Sequence, residues 1–207
     1  MRRLRKATPK KAVAIIGEGI TEKYYIESIQ GMTPFNMHPQ CLHHKASSLK
    51  DLKQHIDTAI EEGFDWVLCL IDKDNKVGSP DYECLKSRYN GKTFSKQSKG
   101  IRCTVRFFET HRCIEVWFLF YFVYTTRAFQ SYKDVEKLLH KYWPEYEKTE
   151  AFFRRCGGIH AALECLDGSL SQAISRGERS MAAVKSGERD YTYSEFAEFF
   201  DLIRGDN

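Results

Sequence analysis

The chain has 207 residues, 42% hydrophobic and 29% charged, a balance that places it in the soluble globular class, excludes a disordered chain, and leaves room for one well-buried core. Its seven cysteines, at positions 41, 69, 84, 103, 113, 156 and 165, are odd in number and contain no CxxC pair. They argue for free thiols in a reducing cytosol and against a disulfide framework or a zinc ribbon. The net charge of +4 is regional: residues 1–11 carry six basic residues and no acid, leaving the rest of the chain at −2.

That basic arm reads either as a solvated tail or as a nucleic-acid contact. It runs directly into a strand-like segment without a small-residue cleavage site, so no signal peptide is expected. Ala12 to Ile16 is a short apolar run rich in β-branched residues, without polar alternation, which fits a central parallel strand. It ends in Gly17-Glu18-Gly19 and leads into a helix from about Glu22 to Gln30, closed by Gly31. A weaker strand lies within Asn36 to His44, where Pro39 indicates an edge. Ser47 or Ser48 caps a helix with Leu49, Leu52, Ile56 and Ile60 on one face, stopped by Gly63. Trp66 to Ile71 is a second buried strand, ending in Asp72-Lys73-Asp74. A polar loop follows; between Lys73 and Arg106 nine Lys or Arg face only Asp74, Asp81 and Glu83. Ile101, Cys103, Val105 and Phe107 alternate with Arg102, Thr104 and Arg106, a half-buried strand with a basic outer face.

Val116 to Tyr124, the most apolar stretch, falls short of the ~20 residues of a membrane-spanning helix and reads as a core helix beginning near Cys113. The remainder reads as helical. Val135, Leu138, Leu139 and Tyr142 mark one helix ending near Trp143-Pro144, and Ile159, Ala162, Leu163 and Leu166 another before Gly168. Glycine and charge between Arg176 and Asp190 suggest an exposed bend. Thr192 and Glu195 have capping-box spacing before the packing face of Phe196, Phe199, Phe200 and Ile203. The β-α-β-α-β order of the first half implies an α/β fold with right-handed crossovers and a mainly parallel sheet, which brings Glu18 and Asp72 to one edge.

Open α/β sheets do their chemistry at the carboxyl ends of such strands. Glu18, Asp72 and Asp74 delivered there would repel one another unless a cation lay between them, and an oxygen-only donor set suits Mg²⁺ or Mn²⁺. Glycines at 17 and 19 allow a tight turn and the approach of a phosphate. Each acid also has a plainer reading: Glu18 as an answer to the dipole of the following helix, Asp72 and Asp74 as turn-formers, Glu22 as a solvated first-turn acid. Glu115 is either a buried functional acid or a helix-start cap. Lys73 either neutralises a phosphate or faces solvent; Lys76 and Arg112 are the other candidate substrate contacts. Glu109 and His111 stand close to the same edge. His38, His43 and His44 lack ligand spacing and read as polar surface.

Gly17-Glu18-Gly19 with Thr21-Glu22-Lys23-Tyr24-Tyr25, then Asp72-Lys73-Asp74, then Cys113-Ile114-Glu115-Val116-Trp117-Phe118-Leu119, resembles the RloB-like proteins from about Ala12 to Ile203. The resemblance implies a TOPRIM-type fold: a catalytic core over residues 12–130, after the 1–11 arm, with a helical extension over 131–207 packed on it. It implies Glu18 as general acid/base and Asp72 and Asp74 as metal ligands, with Glu22 assisting a second ion. The activity implied is that of a Mg²⁺- or Mn²⁺-dependent nuclease acting on DNA or RNA in a bacterial phage-defence setting, among restriction-modification and abortive-infection systems. Its partners would be nucleic acid and an ATPase or other defence-system subunit, with no membrane, in the cytoplasm. The alternative is a non-catalytic nucleic-acid-binding subunit of a defence complex. Family members commonly lead into the third motif with Ser-Asn-Pro and end it with His; Thr110-His111-Arg112 and Tyr121 stand at those places here. A receiver domain would need paired acids after the first strand, and a nucleotide-binding loop would need the P-loop lysine or a third glycine; neither is present.

Overall fold

The computed structural model describes residues 10–42, 48–74 and 76–204, so the basic arm up to residue 9 and the histidines at 43 and 44 lie outside the described residues. The central strands β1 (Ala12–Gly17), β3 (Trp66–Asp72) and β5 (Ile101–His111) are the three apolar or alternating runs of the sequence. With β2 (Asn36–Cys41) and β4 (Lys92–Lys96) they form a sheet in the order β2-β1-β3-β5-β4. The pairs β1–β2, β1–β3 and β3–β5 are parallel, whereas β4 and the short β6 (Tyr193–Ser194) run antiparallel to β5. Pro39 sits on the edge strand β2, level with Ile15, where its missing N–H costs no ladder bond on the outer side.

The topology follows from handedness. The chain steps from β1 to β2 in one direction through α1 (Ile20–Ile29), then back past β1 to β3 through α2 (Leu49–Glu62). Right-handed crossovers in opposite directions place their helices on opposite faces. Alternate residues of each strand accordingly enter two cores. Val13, Ile15, Leu68, Leu70 and Phe108 pack with α1 and the C-terminal helices. Ala14, Ile16, Val67, Cys69, Ile71 and Val105 pack with α2 and α3 (Pro80–Tyr89). The reversal of direction makes the gap between β1 and β3 the topological switch point; Glu18 directly follows β1, and Asp72 ends β3.

On the first face, α4 (Glu115–Phe122) is buried nearly all round. Around it lie α5 (Tyr132–Leu139), α6 (Glu150–Arg155), α7 (Ile159–Cys165), α8 (Leu170–Lys185) and α9 (Phe196–Arg204). No described helix is long and apolar enough to cross a membrane, and all seven cysteines are free thiols.

Three sequence expectations are corrected. The polar stretch after β3 is not a loop, because Ser79 caps α3 with Pro80 in its first turn, and β4 follows. Of the bend expected between Arg176 and Asp190, the part up to Lys185 is continuous helix, and the exposed turn lies after it, around Gly187. Gly177 and Ser180 are buried in α8, and a β-carbon on Gly177 would lie 3.2 Å from Ala197 Cβ and 3.3 Å from Trp117 Cζ3. Glycine is there to let α8 close on α4 and α9. Thr192 is not a cap: its φ is +52°, its amide donates to His111 Nδ1 at 3.2 Å, and Glu195 accepts instead from the Glu109 amide at 2.8 Å. Gly177→Val should therefore destabilise the protein by about 1–3 kcal/mol despite removing a helix glycine. Urea unfolding checks this, and a variant as stable as the parent would contradict the packing argument.

Candidate functional site

The carboxyl ends of β1, β3 and β5 share one edge, with Gly17 level with Leu70 and Asp72 level with Thr110. Glu18 leaves β1 there, and α1 begins two residues later. Glu22, expected to be a solvated acid, is instead 2% exposed. Its Oε2 accepts from the Gly19 amide at 2.9 Å, closing the helix start. The glycines serve this acid: a β-carbon on Gly17 would stand 2.5 Å from Glu22 Cβ, and one on Gly19 would stand 3.2 Å from Glu22 Oε2. The space expected to admit a phosphate is filled by a carboxylate side chain.

Asp72 Oδ1 accepts from the Ile114 amide at 3.0 Å, at the start of α4. Glu115, in the first turn of that helix, has no solvent exposure. Its Oε1 accepts from Tyr146 Oη at 2.8 Å and lies 3.0 Å from Lys148 Nζ. It is therefore a buried, paired acid and not a cap. Sequence reasoning missed Tyr146 and Lys148, which arrive from the segment between α5 and α6 with no local signal of their destination.

Lys76, in the turn after β3, has Nζ 2.7 Å from one Glu18 oxygen, donates to the other at 2.8 Å, and donates to the Asp72 carbonyl at 3.0 Å. It ties the ends of β1 and β3 together across the switch point. Asp74 acts electrostatically on Glu18 and on His111. Among the described residues, no three His, Cys, Asp or Glu side chains are gathered to hold a metal ion as they stand.

Four acids nevertheless share one field. Burial raises the Glu18 pKa although Lys76 opposes it. Burial, then the charges of Glu22, Glu18 and Glu115, raise Asp72 well above the usual carboxylate range. Glu22 is pushed up to about 7, by burial first and then by Glu115 and Glu18 against the pull of Lys148. The cluster is short of positive charge.

The other expected substrate contacts are engaged elsewhere. Lys73 Nζ lies 2.9 Å from Glu83 and 3.4 Å from Glu109, over the Tyr82 ring. Glu109 Oε1 also accepts from Lys86 at 2.6 Å and Tyr82 at 2.5 Å. Burial opposes its ionisation, but these donors outweigh it and hold its pKa below normal. Arg112 Nε donates to the Phe129 carbonyl at 3.1 Å. Tyr121, at the end of the third motif, bonds Tyr25 and His160 inside the core.

With this geometry in place, comparison with known proteins identifies the chain. A model of the RloB-like protein family matches residues 13–204. The chain belongs to the RloB-like family. No curated protein and no solved structure matches it. The matched range contains the segments of all three motifs and the helical part after α4.

Glu195 gives a prediction on the opposite side of β5. Burial, with the Glu109 charge adding, raises its pKa to about 7, while the Glu109 amide opposes this. A raised folded-state pKa contributes stability that is full below the unfolded value near 4.5 and is lost as pH rises through about 7. Glu195→Gln, which still accepts from the Glu109 amide, should gain stability relative to the parent between those pH values. Urea unfolding from pH 4 to 8 checks this, and parallel stability curves for the two proteins would contradict it.

Proposed function

We propose that this chain is a divalent-metal-dependent, TOPRIM-type nuclease acting in bacterial phage defence. The observation that carries the reading is the carboxylate cluster at the switch point between β1 and β3, where open α/β sheets bind their ligands. Four buried or half-buried acids, Glu18, Glu22, Asp72 and Glu115, face Lys76 and Lys148. Oxygen-only donors with excess negative charge fit a hard cation such as Mg²⁺ or Mn²⁺ in chemistry, although the ion pair between Lys76 and Glu18 must open for Glu18 to serve as a ligand.

Glu18, Asp72 and Asp74 would hold the ion, which supplies charge neutralisation on the non-bridging phosphate oxygens and an activated water. The chain's own groups do the rest. Glu18, on the turn between β1 and α1, is placed to manage the proton exchanged between water and leaving oxygen; burial raises its pKa in the metal-free chain, and a bound ion would draw it back down. Lys76, once released from Glu18, is within reach of the same edge and offers a phosphate a point charge. Asp72 keeps one oxygen on the Ile114 amide, which fixes the orientation of the other. The cargo is DNA or RNA.

Incubation with plasmid, single-stranded DNA, transfer RNA and ribosomal RNA tests this directly. Cleavage of at least one substrate with Mg²⁺ or Mn²⁺ is expected, abolished by EDTA and reduced about 10²–10⁴-fold in Glu18→Gln and Asp72→Asn. Binding without cutting across the panel would leave the non-catalytic subunit of a defence complex as the function.

A further inference from the structure

The carboxylate cluster has a wall that the three motifs do not contribute, the segment between α5 and α6. Lys148 reaches from it over the ring of Tyr132, with Nζ 4.8 Å from the ring centre, and ends 3.0 Å from Glu115 Oε1. Its charge also acts on Glu22 and Asp72. Tyr146, two residues earlier, donates to the same Glu115 oxygen. The second oxygen, Oε2, is buried and has no N–H or O–H donor among the described residues, and the carboxylate acts on the neighbouring Cys113 thiol.

Burying a carboxylate beside two further acids is costly without a positive charge at hand. That charge can come from a divalent ion or from a lysine. Lys76 occupies the outer side of the cluster, between the ends of β1 and β3, where its partner Glu18 is partly exposed. Lys148 occupies the inner side, and its partner has no exposure at all. An ammonium on a tethered chain has the charge of half a divalent ion, needs no dehydration at binding, and cannot diffuse away.

We propose that Lys148 is a resident second cation of the acid cluster, holding Glu115 and Glu22 where a second divalent ion would otherwise be required, so that the site takes a single ion on the Glu18 and Asp72 side. This rests on the metal-dependent reading above. It assigns the segment between α5 and α6 a place in the site itself.

Titration of the full chain with Mn²⁺, read by the resonance of the free ion and by calorimetry, decides the matter without reference to activity. The parent should bind one ion and Lys148→Met two, the additional ion being lost again in Lys148→Met/Glu115→Gln. In EDTA, Lys148→Met should melt below the parent, and saturating Mn²⁺ should raise its melting point more than the parent's. Lys148→Arg, which keeps the charge, should bind one ion and melt close to the parent. A parent binding two ions overturns the proposal, and does so even if Lys148→Met does not fold. One ion in both the parent and Lys148→Met removes Lys148 as the second cation and leaves the metal reading standing, whereas a parent that binds none at millimolar Mn²⁺ removes both.

Discussion

The arrangement depends on one electrostatic constraint: four acids converge where two parallel strands end, and two lysines lie among them. Glu18 and Asp72 are delivered by β1 and β3, Glu22 by the first turn of α1, and Glu115 by the first turn of α4. Removing such groups from water is expensive unless each is ionised beside a countercharge or holds a proton. The protein uses both means. Lys76 clamps Glu18, Lys148 holds Glu115, and Asp72 and Glu22, between them, have their pKa values driven upward. A cluster left in that condition favours any further cation, which is the physical basis for reading it as a metal site.

Much of the surrounding fold positions these charges. Gly17 lacks a β-carbon because Glu22 occupies that space, so the first motif is a packing solution for a buried acid as well as a turn. Asp72 is oriented by the start of α4, whose apolar body is embedded in the aromatic core made by Trp117, Phe118, Phe196 and Phe200. Gly177 lets α8 approach that core closely. The helices after α4 therefore fix α4, and through it Asp72 and Glu115. The neighbouring network around Glu109, with Lys73, Lys86 and Tyr82, joins β5 to α3 and keeps those lysines away from the acid cluster.

How far this could be read in the sequence depended on how local each signal was. The strands β1, β3 and β5, the edge position of Pro39 and the shared edge of Glu18 and Asp72 follow from apolar runs and right-handed crossovers, both short-range rules. The helix α3 carried a legible start in Ser79-Pro80 and a legible stop in Asn90-Gly91. Its apolar residues, Tyr82, Leu85 and Tyr89, were too sparse to stand out in a stretch that carries nine basic residues between Lys73 and Arg106. The helix α8 was misread because its packing stripe is built from small residues, Ala173, Gly177 and Ser180, which resemble a bend. The burial of Glu22 could not be foreseen from a first-turn acid, and Lys148 reaches Glu115 across 33 residues with nothing local to announce it. Contacts made by tertiary packing alone were the ones the sequence concealed.

Under the proposed metal reading the edge between β1 and β3 takes a cation, and Lys76 must leave Glu18 as it binds. The most direct measurement is anomalous scattering from crystals of the full chain grown with Mn²⁺. A manganese peak is expected between the carboxylates of Glu18 and Asp72, with Lys76 Nζ withdrawn from Glu18. Crystals at saturating Mn²⁺ that retain the ion pair between Lys76 and Glu18, with no peak at this edge, would contradict it.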